Sequence, residues 1–293
     1  MAEMMKKIFF LLAIVSLTAC SKNLDLVGMF AGQSPQPDYR FDKSMEHNAA
    51  VGPRDLVLSS DDYRFYVGTD THVDEKYEHT AQYLRDFRQD PSASFTLMLG
   101  DLINAQQNIP WVSEMFRDSC GTKRDRIYIT LGNHDAYFNQ WGEWQQEWGS
   151  STYSFDVVTP NAKDLYICIE SANGTLGNKQ TRWLKELLEQ SLNKGYRHKI
   201  IFTHTHMFKK DGSQGHTSNY AMEETYELTD LFSRCGVDWY LCGHDHCREI
   251  THHKGVTYII VDALEEHYNN AFYMIADIGE QMHYTFVPVG EQD

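Results

Sequence analysis

Five short polar clusters carry residue types that bind metals or move protons. They are Asp70-Thr71-His72, Gly100-Asp101, Gly132-Asn133-His134-Asp135, His204-Thr205-His206 and Gly243-His244-Asp245-His246. Carboxylate, imidazole and amide oxygen all suit borderline divalent ions. A histidine beside a strand is more often a hydrogen-bonded structural residue, so no single cluster decides the chemistry. Their common placement carries more weight: each follows an apolar run, and glycines 100, 132 and 243 let the backbone turn tightly there.

The runs that position them, Tyr63–Gly68, Phe95–Leu99, Arg126–Leu131, Lys199–Thr203 and Val237–Cys242, read as buried strands. Helical spacing appears over Glu75–Gln89, Trp111–Ser119, Ala136–Trp148, Thr181–Leu192 and Glu223–Phe232; Trp183, Leu184, Leu187 and Leu188 share one face. Tyr153–Val157 and Leu165–Ile169 add strands. The tail adds Arg248–Thr251, Val256–Val261, Ala271–Ile278 and His283–Val289. Strand–helix alternation predicts parallel βαβ units followed by a more antiparallel end. The expected fold is α/β, two packed mixed β-sheets flanked by helices. Ligand sites in such sheets lie beyond the carboxyl ends of the strands, so the five clusters should meet along one edge.

In this order the clusters resemble the motifs of the calcineurin-like metallophosphoesterase family: D-x-H, GD, GNHD or GNHE, H, then GHxH. The resemblance spans about residues 63–250 and implies a four-layer sandwich with two divalent ions, manganese, iron or zinc. It implies that Asp70, His72 and His246 hold one ion, that Asn133, His204 and His244 hold the other, and that Asp101 bridges them. Two ions about 3.5–4 Å apart clamp a phosphoryl group and activate water, so the implied activity is phosphoester hydrolysis by a metal-bridged hydroxide. The resemblance also places His134 at the substrate, where it can protonate the leaving oxygen or steady developing charge. Asp135 is then a candidate catalytic partner that fixes the His134 tautomer, or else the cap of the following helix. Asn104 stands where many relatives carry Asp; it and His206 are candidate substrate contacts. Asn104 is alternatively a residue that orients the neighbours of Asp101, and His206 a loop histidine without a role. The segment from Lys209 to Asn219 reads as a flap over the site.

The chain of 293 residues carries a formal net charge of −15. Such a surface disfavours general nucleic-acid binding, which needs clustered Lys and Arg. Lys6 and Lys7 precede the apolar run Ile8–Val15, too short to span a bilayer, and Leu17-Thr18-Ala19-Cys20 resembles a bacterial lipobox. Residues 1–19 therefore read as a lipoprotein signal peptide, with Cys20 the lipid-attachment residue. Residues 20–54 read as a tether and 55–293 as the metallophosphoesterase domain. The expected location is the bacterial cell envelope, lipid-anchored in its membrane, with a phosphate ester as substrate. Removing residues 1–19 leaves 24 basic and 40 acidic residues, a net −16. Five other cysteines, Cys120, Cys168, Cys235, Cys242 and Cys247, are an odd number in a compartment where disulfides can form; Cys242 and Cys247 bracket a histidine pair and read as buried thiols in preference to zinc ligands. Two alternatives stay open: another binuclear metallohydrolase, because HxH pairs recur at His204–His206 and His244–His246, and a non-catalytic metal-binding surface lipoprotein.

Overall fold

The computed structural model describes residues 36–74, 76–104, 109–208, 220–267 and 271–290. In chain order the strands are β1 (Leu56–Val57), β2 (Tyr63–Gly68), β3 (Ala93–Met98), β4 (Ile127–Ile129), β5 (Tyr153–Val158), β6 (Lys163–Cys168), β7 (Lys199–Phe202), β8 (Trp239–Cys242), β9 (Glu249–His253), β10 (Val256–Ile260), β11 (Phe272–Ile278) and β12 (Met282–Pro288). The α-helices are α1 (Pro37–Val51), α2 (Glu78–Gln89), α3 (Ile109–Cys120), α4 (Asn133–Ala136), α5 (Trp141–Trp148), α6 (Gly177–Ser191) and α7 (Met222–Arg234).

Seven strands form one sheet, ordered β1-β5-β6-β7-β8-β10-β9, and five form the other, ordered β12-β11-β2-β3-β4. Both are mixed. β2, β3 and β4 run parallel, as do β6, β7, β8 and β10, while β5, β9, β11 and β12 pair antiparallel. The inner faces of both sheets close on an aromatic core. Phe65 stacks on Phe95 at 5.0 Å, and Phe95 meets Tyr166 of the facing sheet edge-on at 5.2 Å. α2, α3 and α5 cover the outer face of the five-stranded sheet, and α6 and α7 cover that of the other. The layers thus run helix, sheet, sheet, helix. Central strands buried on both faces explain why β2, β3, β7 and β8 read as near-continuous apolar runs.

Two elements depart from expectation. The segment taken for a tether contains α1, a fifteen-residue helix, and the two-residue strand β1 pairs with β5. Besides Pro37 and the Phe41–Trp183 ring contact at 6.1 Å, the buried contacts of α1 are polar. Arg40 is fully buried and forks onto Glu170 at 2.8 and 3.1 Å, Ser44 Oγ lies 3.3 Å from Ser151 Oγ, and Asn48 Nδ2 donates to the Thr152 carbonyl at 2.8 Å. A helix held by polar contacts leaves no hydrophobic stripe to be read. The domain therefore reaches back at least to Pro37. The expected Ala136–Trp148 helix is broken: α4 starts at Asn133, a 3₁₀ turn spans Tyr137–Asn139, and α5 follows. The signal-peptide reading, Cys20 and the expected flap over 209–219 lie outside the described residues. Among the described residues no helix is long and apolar enough to cross a membrane, and the five cysteines after Cys20 are free thiols.

Candidate metal centre

All five clusters follow carboxyl ends of parallel strands, on one edge of the sandwich: Asp70 and His72 after β2, Asp101 after β3, Asn133 after β4, His204 after β7, His244 and His246 after β8. The turns that aim them are strained. Asp70, His72, Asp101, His244 and His246 have φ between 39° and 71°, a region that side-chain-bearing residues rarely adopt. Strain of this kind persists where the surroundings over-determine it, and it gathers at functional sites. The close approach of the turns also explains two glycines. A side chain at Gly132 would collide with the backbone and carboxylate of Asp101, and one at Gly243 with Thr69 and Asp70.

Three groups of donor atoms lie within 4.8 Å of one another: Asp70, His72 and His246; Asp101, His204 and His244; and His72, Asp101 and His134. In the first, Asp70 Oδ2 accepts from Thr69 Oγ1 at 2.6 Å and from the His244 amide at 2.9 Å, leaving Oδ1 to face His246 Nε2 at 3.2 Å. His72 Nδ1 donates to Asn104 Oδ1 at 3.1 Å, so Nε2 presents its lone pair, 3.9 Å from both Asp70 Oδ1 and Asp101 Oδ2. That nitrogen is buried and has no hydrogen-bond partner among the described residues.

In the second group, His204 Nδ1 donates to the Leu99 carbonyl at 2.9 Å. Nε2 therefore faces inward, 2.9 Å from Asn133 Oδ1, 3.2 Å from Asp101 Oδ2 and 3.2 Å from His244 Nδ1. With His204 neutral, its Nε2 lone pair faces the Asn133 and Asp101 oxygens, an arrangement that a cation at the centre relieves. Either a proton or a metal ion fits. Burial opposes charge on His204, but the Asp101 and Asp70 carboxylates push its pKa up to about 9. Burial, reinforced by the charge of His204, pushes His244 down to about 3. Burial likewise opposes charge on Asp70 and Asp101, yet the surrounding imidazoles hold both carboxyls well below the usual carboxylate range. Asp101 Oδ2 faces both groups and its Oδ1 accepts from the His134 amide at 2.8 Å, so one carboxylate joins the two halves. The donor set fits divalent ions.

Of the two roles read for Asp135, the structure shows the cap. Asp135 does not engage the His134 ring. Its Oδ1 accepts from the amides of Leu102 and Ile103 at 2.9 and 3.2 Å, and its Oδ2 from the Gly132 amide at 2.9 Å. It caps α4 and ties the Asp101 turn to the Asn133 turn, which makes it a positioning residue; burial and the Asp101 charge push its pKa up to about 7. Asn104 holds the His72 ring. His206 has no exposed surface, and its ring lies 5.7 Å from that of His244. His134 sits edge-on to His72 at 4.6 Å, and burial lowers its pKa. Tyr137 escaped the sequence reading: its hydroxyl accepts from Asn133 Nδ2 at 3.0 Å, supporting the orientation that turns Oδ1 inward. An aromatic residue four positions after a ligand-type Asn, across a helical turn, is the signal that could have found it.

The comparisons with known proteins point the same way. The model of the calcineurin-like phosphoesterase family matches residues 63–248, more than half of the chain. The chain is similar to the serine/threonine-protein phosphatase CPPED1: 28% identical to the Homo sapiens protein over 170 residues and 26% to that of Bos taurus over 171, covering in each case 53% of this chain and 54% of the relative. It thus spans about half the length of these curated relatives. Its fold matches a dimetal phosphatase from Danio rerio, with TM-score 0.55, 15% identity, and 76% and 95% of the two chains covered. It also matches GAP50, the anchor in the inner membrane complex of Plasmodium, with TM-score 0.58, 15% identity, and 78% and 84% covered. With the family's motifs brought to one edge and its model matched across them, the chain belongs to the calcineurin-like phosphoesterase family.

Proposed function

We propose that this protein is a phosphoester hydrolase that works with two divalent cations, manganese, iron or zinc. Asp70, His72 and His246 would hold one, Asn133, His204 and His244 the other, and Asp101 both. The observation that carries the proposal is the shared carboxylate: one Asp101 oxygen faces the inward nitrogens of His72 and His204 from opposite groups. When bound, a pair of such ions neutralises phosphoryl charge and activates water. The chain's own residues supply the rest. The Leu99 carbonyl and Asn104 fix the tautomers of His204 and His72, so both nitrogens arrive ready to ligate. His134, anchored through its amide to Asp101, can offer a ring N–H to a phosphoryl or leaving oxygen. The fold alone does not carry this reading, since function resides in the site and not in the architecture. The name of the curated relatives favours phosphomonoesters. The lipobox reading adds a lipid anchor at Cys20 and a place on the bacterial envelope.

The full chain, stripped with chelator and reloaded with manganese, is expected to hydrolyse p-nitrophenyl phosphate or bis-p-nitrophenyl phosphate, with loss on stripping and recovery on reloading. A faster monoester rate identifies a phosphatase, and a faster diester rate a phosphodiesterase. Hydrolysis of neither ester, or hydrolysis indifferent to stripping, would overturn the proposal.

A further inference from the structure

Arg40 belongs to a helix that the family match does not include, yet it ends in a buried chain of contacts that leads to the metal centre. Its Nε and Nη2 donate to Glu170 Oε2 and Oε1 at 2.8 and 3.1 Å, and Nη2 also donates to Asn173 Oδ1 at 3.0 Å. Glu170 Oε1 in turn accepts from the Ala172 amide at 3.0 Å, so one fork of hydrogen bonds sets the turn over residues 170–173. Ser171 lies inside that turn and grips both neighbours of His204. Its Oγ lies 2.7 Å from Thr203 Oγ1 and accepts from the Thr205 amide at 2.9 Å, while its carbonyl accepts from Thr205 Oγ1 at 2.9 Å. Arg40, Glu170, Ser171, Thr203, His204 and Thr205 are each no more than 1% exposed.

A buried ion pair is a poor source of net stability, because desolvation offsets most of the attraction; a hydrophobic pair of similar volume often does as well. What a guanidinium fork adds is fixed geometry, two parallel hydrogen bonds and a third to an amide. We infer that Arg40 is a positioning residue for His204: through Glu170 and Ser171 it fixes the strand end that carries the ring, which makes α1 a working part of the metal centre. The inference rests on the proposed ligand role of His204. Placement is demanding at such a site, and loss of an outer-shell partner typically costs about 10–100-fold in metal affinity.

The test measures manganese binding to the chelator-stripped full chain by calorimetry, beside urea unfolding of the metal-free chain. R40M alone leaves Glu170 buried and uncompensated and can fail to fold, so the informative variant is R40M/E170M, which removes the fork and the charge together. It is expected to unfold at a urea concentration near that of the parent, yet to bind one of two manganese ions about tenfold or more weakly. S171A is expected to weaken the same ion, and the triple variant to lose less than the sum of the two, as members of one chain of contacts should. Parental affinity for both ions in folded R40M/E170M would overturn the inference. H204A separates this from failure of the underlying reading. If H204A loses an ion while R40M/E170M does not, only the inference falls. If H204A binds both ions normally, the ligand assignment falls with it.

Discussion

His134→Ala is expected to lower turnover by about a hundredfold or more while leaving the metal content of the protein unchanged. The ring centre stands 4.6 Å from that of His72, and its nitrogen shares a 4.8 Å group with that residue and Asp101, but it is outside both groups that Asp101 joins. A residue that donates a hydrogen bond only as charge moves onto an oxygen acts on the rate of the step and not on assembly of the site. The readouts are kcat on p-nitrophenyl phosphate or the bis ester and metal per chain by elemental analysis. If the variant loses a metal ion, His134 belongs among the ligands, as its place in the third donor group allows. If rate and metal both stay unchanged, it has no part in the chemistry.

Arg40→Ala is expected to cost about 3–5 kcal/mol of stability, because it leaves the Glu170 carboxylate buried with its guanidinium partner gone. Both side chains are at most 1% exposed, so solvent screens the pair very little. Urea unfolding of the metal-free chain measures the loss. A change below about 1 kcal/mol, the range of a surface ion pair, would mean that α1 is a peripheral attachment. By contrast, Lys43–Glu46 on the same helix is solvent-exposed, and its removal should be close to silent.

The contrast between those two pairs explains what was legible in the sequence. β2, β3, β7 and β8 were readable because strands buried on both faces must be apolar throughout, and the polar residues that end them stand out. That Asp70, His72, Asp101, Asn133, His204, His244 and His246 gather at one edge was legible because each is a ligand-type residue placed just beyond a strand. α1 could not be named: Arg40, Ser44 and Asn48 are ordinary surface residues until Glu170, Ser151 and Thr152 arrive from more than a hundred positions away. Asp135 misled for a related reason. Adjacency to His134 suggested a shared hydrogen bond, but backbone amides at Leu102, Ile103 and Gly132, two of them brought by another strand end, take up its oxygens first. Side chains that spend their bonding capacity on distant backbone leave no local pattern. Those that converge on one edge from several strand ends leave a repeated one.

The most direct test of the central claim is the stoichiometry of manganese binding to the chelator-stripped full chain, followed by calorimetry while p-nitrophenyl ester hydrolysis is recorded on the same samples. Two ions per chain, with hydrolysis rising as the second binds and both lost in Asp101→Ala, is the predicted result. A single ion per chain, or two ions that persist without Asp101, would contradict a centre built on one shared carboxylate.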